Sequence, residues 1–189
     1  LRLVGQLFRH PGFRGASFGY FGHMWELYAV FAFIPVLIAR VVPDHSELWS
    51  FGFFLAGFAG CAAGGLAALK TGSRAVALTA LFCSGTACLV SPILPELPTE
   101  AGLAMIMFWG AAVAADSPQF SALNTRFAPK EYVGSALTLV NCIGFLITIP
   151  TIELTGFLVH QSGIRFAFLP LLLGPAFGFM SLKNANRHR

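Results

Sequence analysis

Apolar positions along this chain gather in long unbroken blocks, and polar positions collect in the short gaps between them. Crossing the ~30 Å hydrocarbon core of a bilayer takes roughly 20 helical residues. Six blocks meet that length, near residues 15–39, 48–69, 75–94, 101–122, 133–158 and 163–182. The connections "VVPDHSE", "KTGSR", "PELPTE", "NTRFAPKEY" and "HQSGI" are built from turn-forming residues. The pattern predicts an all-α integral membrane fold with six transmembrane helices over residues 15–182.

Composition agrees. Of the 189 residues, 56% are hydrophobic and 11% charged, with mean hydropathy +0.73. A soluble domain carries about a quarter charged residues to keep its surface wetted. The basic residues are not interleaved with aromatics on a polar surface, so nothing points to nucleic acid as a partner. The partners implied are the lipid bilayer and a small-molecule or ion substrate. Cys61, Cys83, Cys88 and Cys142 lie in apolar runs without a C-x-x-C pair, which reads as packing rather than metal or redox chemistry. No cofactor or metal is expected. The first apolar run is too long for the h-region of a removable signal peptide, about 7–15 residues. The chain begins with Leu rather than Met, a hint of a longer polypeptide.

Charge adds orientation. Ten of the twelve basic residues fall at the two ends and in the second and fourth connections: Arg2, Arg9, Arg14, Lys70, Arg74, Arg126, Lys130, Lys183, Arg187 and Arg189. Arg40 and Arg165 are left for the opposite side. Basic residues concentrate on the cytoplasmic side, so both ends are expected there, as an even number of spans requires. The expected location is a cell membrane, with a bacterial inner membrane favoured.

Acidic residues divide the six spans. Glu26 and Asp116 sit well inside spans 1 and 4, whereas spans 3 and 6 hold no acid. Two groups of three follow, inverted relative to each other because each has an odd number of spans. Inverted three-helix repeats are a recurrent plan of secondary transporters. In span 2, Gly52, Ala56, Gly60, Gly64 and Ala68 recur every four residues and open a groove for close backbone approach. It reads as a packing seam, within the chain or in a homodimer.

These features resemble the C-terminal half of a major facilitator superfamily transporter, spans seven to twelve of twelve, over essentially the whole chain. The stretch "GGLAALKTGSR" between spans 2 and 3 is similar to the family's loop motif G-x-x-x-D-R-x-G-R-[RK]. Gly65, Lys70, Gly72 and Arg74 match, with Lys for Arg at 70, while Leu69 and Ser73 replace the motif's Asp and second Arg. The gate-locking contact of that Asp cannot form here. "FGHMWELYAVFAFIP", "ADSPQFSAL" and "YVGSALTL" also look like one branch of bacterial facilitator proteins. The resemblance implies a major facilitator half-bundle of two inverted three-helix repeats. It also implies an N-terminal six-span half of the same polypeptide as partner, spans 1 and 4 lining a central cavity, residues 1–14 as a cytoplasmic linker between halves and 183–189 as a cytoplasmic tail.

The candidate transport residues follow from depth. An ionisable group in the bilayer costs about 2.5–3.5 kcal/mol on insertion scales and faces a cavity or a partner. Glu26 stands roughly 17 Å along the helix from Gly15 at ~1.5 Å per residue, near the midplane where such transporters bind solute and coupling ions. It is the leading candidate for carrying a proton, and the alternative is a hydrogen-bonded tie between helices. His23 lies one turn away, an i, i+3 partner able to share a hydrogen bond. The pair lacks the second His of H-E-x-x-H, so it is not a zinc protease signature.

Asp116 and Gln119 form a second i, i+3 pair, with Pro118 between them able to bend the helix into a gate or a static cap. In span 5, Thr138, Asn141 and Thr148 share a stripe that suits a polar solute or an interhelical contact. Glu153 follows Pro150 near the outer end. Tyr20, Trp25, Tyr28 and Phe33 crowd span 1 and serve either stacking or packing. The expectation is a secondary transporter half, not an enzyme. The alternatives are a self-sufficient six-span homo-oligomer, transporter or channel, and an intramembrane enzyme using His23 and Glu26, which would need a nucleophile or metal ligands nearby.

Overall fold

The computed structural model describes residues 2–185. Of the basic residues used for orientation, Arg187 and Arg189 lie outside the described residues. All regular structure among the described residues is helical: α1 (Arg2–Arg9), α2 (Pro11–Val41), α3 (Ser46–Thr71), α4 (Ser73–Val90), α5 (Thr99–Ala115), α6 (Ser117–Phe127), α7 (Val133–Ser162) and α8 (Leu173–Asn184). Short 3₁₀ turns extend α4 to Glu96 and lead into α7 and α8. Counted with those turns, and with α5 and α6 as one span, six helices are long and apolar enough to cross a membrane. The chain is a multi-pass membrane protein.

Local chemistry sets the boundaries. α2 starts four residues before its apolar run because His10 caps it, its Nδ1 accepting the Phe13 N–H at 3.3 Å, and Pro11 takes the first turn where its missing N–H costs nothing. Residues 2–9, expected as linker, form a helix that buries Leu7. Gly72 at φ +83° both ends α3 and begins α4, a left-handed-side conformation that a side chain rarely adopts. α8 begins ten residues later than span 6 was expected to, after Gly163 at φ +75° and two 3₁₀ turns containing Pro170.

α2 runs through the middle of the bundle and touches α8, α7, α6, α5 and α3. The spans pair in a regular way. Span 1 packs on spans 5 and 6, span 4 on spans 2 and 3, and span 3 on span 6.

The tightest contact is between α2 and α8. Gly15 faces Ser181 and Ala185, Gly22 faces Gly174 and Gly178, and the Gly19 carbonyl lies against Gly178 while its open side takes the Phe120 ring. A Cβ on Gly22 would strike the Gly174 carbonyl oxygen and come within 2.8 Å of the Gly178 nitrogen. With lipid as apolar as any side chain, such backbone approach is what draws membrane helices together. The small residues expected to form a seam on α3 do so in part against α5: Gly60 abuts Ala111, and Gly64 abuts Ala115. Gly52 faces only the Met107 sulfur, and Ala56 and Ala68 stay half-buried.

Two apolar clusters fill the interior. One surrounds Ile34, Ile106, Trp109 and Phe168; the other surrounds Phe13, Leu81, Phe120 and Val140. Leu27 belongs to the first and Met24 to the second, so the buried His23 and Glu26 mark their junction.

Candidate functional site

Two buried acids occupy this junction, each with its own set of partners. The Glu26 carboxylate on α2 is closed from solvent and accepts three hydrogen bonds. Ser84 Oγ donates to Oε2 at 2.9 Å, and Cys88 Sγ and Trp109 Nε1 donate to Oε1 at 3.2 and 3.1 Å. Ser84 and Cys88 stand one turn apart on α4, and Trp109 comes from α5, so one carboxylate joins three spans. Trp109 is held edge-on by Phe168 at 5.2 Å between centroids.

The second acid is Asp116, at the break between α5 and α6. Pro118 explains the break: it has no N–H to give the Ala114 carbonyl four residues back, and its ring crowds that carbonyl. Ala114 O instead accepts the Asp116 N–H and the Cys61 thiol of α3, at 2.9 Å to sulfur. The helix thus interrupts at Asp116, two residues before the proline.

His23, not Glu26, is the partner of this acid. Its Nδ1 lies 3.0 Å from Asp116 Oδ1, with both side chains 1% exposed. The N–H direction misses the oxygen, so neither atom has an aligned hydrogen-bond partner. Nε2 sits 2.8 Å from the Ser117 hydroxyl. Tyr20 and Phe120 flank the imidazole, with centroids at 6.1 and 5.8 Å. His23 and Glu26 therefore face different neighbours despite their i, i+3 spacing.

Below this pair, Ser17 donates to Asn124 Oδ1 at 2.8 Å and ties α2 to α6 a second time. Gln119 is buried one turn beyond Asp116. The remaining candidates divide. Thr148 is buried, and its hydroxyl donates to the Phe145 carbonyl at 2.7 Å. With Thr151 and Thr155 it supplies polar contacts to its own helix around Pro150. Thr138, Asn141 and Glu153 are exposed on α7. Trp25 donates to the Pro170 carbonyl at 3.3 Å, and Tyr28 packs on Phe145.

In the loop motif, Arg74 donates to the Leu182 and Lys183 carbonyls, both at 3.2 Å, and so caps the C-terminus of α8. Gly65 has open space where a Cβ would stand, and Lys70 is exposed.

The sequence reading passed over Ser84, Trp109 and Ser117. Ser84 and Cys88 stand four residues apart among the other small polar residues of span 3, Thr79, Cys83, Thr86 and Ser91, so nothing in the sequence singles out the pair. Among the described residues, no three His, Cys, Asp or Glu side chains converge to hold a metal ion. A surface groove of about 490 Å³ between α3, α4 and α5 is walled by Gly60, Ala63, Thr79, Cys83 and Ala111, and none of the buried acids reaches it.

No protein-family model matches the chain, and no curated protein does.

Proposed function

We propose that this chain is one six-span half of a secondary active transporter of the major facilitator type, a symporter in which a proton accompanies the solute. The observation that carries the reading is the pairing of spans. Exchanging spans 1, 2 and 3 with 4, 5 and 6 turns each principal contact into another: 1 with 5 becomes 4 with 2, 1 with 6 becomes 4 with 3, and 3 with 6 maps onto itself. Such a swap is what two inverted three-helix repeats produce, and transporters built this way bind solute near the midplane and rock around it.

Exposure on α7 supports the same reading. Asn141 and Glu153 lie within about 10 Å of the helix midpoint, inside the ±15 Å of hydrocarbon. Both are exposed. An exposed carboxylate at that depth needs water or protein rather than lipid beside it. A second six-span half, meeting this one across a solvent-filled cavity, supplies both. In this arrangement both ends of the chain are cytoplasmic, residues 1–14 lead in from the first half, and the solute is a small polar or ionic molecule. Asn141 and Glu153 on span 5 would face this cavity, and Glu26, His23, Asp116 and Gln119 are the polar groups of spans 1 and 4 buried behind it.

The test is the size of the polypeptide in its source membrane, detected with an antibody against the "SLKNANRHR" tail. This chain accounts for 20.2 kDa. A band of roughly 40 kDa accords with two six-span halves; one at the size of this chain would favour the homo-oligomeric reading.

An intramembrane enzyme is the second reading, and Ser117 favours it. Hydroxyl, imidazole and carboxylate follow one another from Ser117 through His23 to Asp116, the order found in serine hydrolases. The misaligned His23–Asp116 contact weighs against it. Fluorophosphonate labelling that disappears with Ser117→Ala would put the enzyme reading ahead.

A further inference from the structure

The two buried acids differ in what they can still bind. Glu26 has its oxygens occupied by three fixed donors from two other spans, and all of them lie in the closed interior: Ser84 and Trp109 with Glu26 are at most 1% exposed, Cys88 likewise at 0%. The His23–Asp116 pair has two facing atoms without aligned partners, and its third member reaches outward. Ser117 is half-buried at the first position of α6, and Ser121 and Thr125, one and two turns on, are exposed.

Proton accounting constrains this site. At 3.0 Å, Nδ1 and Oδ1 cannot both present lone pairs, so one of the two atoms carries a proton even though the N–H direction misses the oxygen. With the imidazole neutral, that proton is on Nδ1, and Nε2 is the acceptor facing the Ser117 hydroxyl. The site then carries the single negative charge of Asp116. One more proton on Nε2 makes an imidazolium–carboxylate pair with no net charge.

We propose that His23, held between Asp116 and Ser117, is the proton-binding site of this half, with Ser117 passing the proton between Nε2 and the exposed face of α6. The assignment rests on the transporter reading for its purpose and on this geometry for its chemistry. In the loading step, the Ser117 O–H bond breaks as its proton moves to Nε2, and a hydronium ion on the exposed side gives its proton to the same oxygen and is left as water. Unloading is the reverse. No other reactant is consumed.

The titratable and charged groups packed around His23 come from six helices. On α2 they are Tyr20 and Glu26, which accepts three hydrogen bonds. α3 brings the Cys61 thiol, donating to Ala114 O; α4 brings Ser84 and Cys88, both turned to Glu26. α6 has Arg126 exposed at its far end. α7 contributes Thr148, bonded to its own backbone, and α8 brings Lys183 only at its last turn.

The test is histidine-selective NMR on the full polypeptide in nanodiscs, with the His23 signal identified by its loss in His23→Gln. Should that variant fail to insert, substituting the other four histidines identifies the same signal. The expected result is a His23 ring whose charge state changes with pH and whose midpoint moves by about one pH unit or more in Asp116→Asn. Ser117→Ala should slow proton exchange at this ring by roughly tenfold. A ring that holds one charge state throughout, or a midpoint indifferent to Asp116→Asn, overturns the proposal. Transport is not needed for this readout, so a titrating His23 in a chain of single-half size would sink the transporter reading and spare the proton site. An inert His23 in a proven transporter would do the reverse.

Discussion

Glu26 and Asp116 are both buried acids near the centre of the same bundle, yet one is built in and the other is poised. Glu26 belongs to a continuous helix, and its three donors are buried side chains of two other spans. Asp116 exists as a site because its helix fails: Pro118 releases the Ala114 carbonyl, the chain turns, and the carboxylate meets an imidazole without a good angle. A carboxylate with complete hydrogen bonding is a structural joint. One held at an interruption, beside a group that can change its charge, is suited to change.

The largest way to break that comparison is to separate the elements that present both acids. Gly22→Leu would drive a side chain into the backbone of α8 at Gly174 and Gly178, and the helices would have to part. We expect a loss of about 3 kcal/mol or more, at the upper end for overpacking, seen as failure to accumulate or as unfolding at much lower denaturant. Normal stability would mean that the seam is loose and that α2 is held by its polar contacts instead.

Removing one acid at a time sharpens the comparison. Glu26→Leu leaves Cys88 and Trp109 without an acceptor and Ser84 with only the Leu81 carbonyl at 3.4 Å, and an abandoned buried donor costs ~1–3 kcal/mol. A destabilisation of about 3 kcal/mol is expected, while Glu26→Gln, which keeps one carbonyl oxygen for Trp109 and Cys88, should lose roughly 1 kcal/mol. Equilibrium unfolding of the two variants checks this. If Glu26→Leu were as stable as the parent, Glu26 would not be a joint, and the proton role expected from its depth would return to it.

How much of this was legible beforehand differs between the two acids. Depth and apolar context single out both Glu26 and Asp116, because a carboxyl in a run of hydrocarbon is visible in one dimension. Their partners are not. Trp109 is one aromatic among many, and Ser117 reads as a helix-starting residue beside a proline. The i, i+3 rule pairs His23 with Glu26 along the helix, but the pairing of side chains between helices depends on rotation about their axes, and that is set by contacts such as Gly22 on Gly174. The α2–α8 glycines themselves stood in the sequence at Gly15, Gly19 and Gly22. Their spacing of four and three is less regular than the four-residue repeat of α3, which drew attention to the more peripheral helix.

The smallest expected effect tests why the Asp116 site exists at all. Pro118→Ala restores an N–H that can bond the Ala114 carbonyl, so the α5–α6 interruption should close and Asp116 should swing away from His23. The thiol of Cys61 now satisfies that carbonyl in part, and the restored N–H would compete with it. Cys61→Ala alone should therefore cost about 0.5–1 kcal/mol, the net worth of one hydrogen bond, and close to nothing once residue 118 is alanine. The double-mutant cycle should return a coupling of about 0.5–1 kcal/mol, readable because the two sites share a partner. Additive effects would mean that the thiol and the proline act on different carbonyls in solution. The break would then have to be attributed to the His23–Asp116 pair itself, making the charged site the cause of the interrupted helix rather than its consequence.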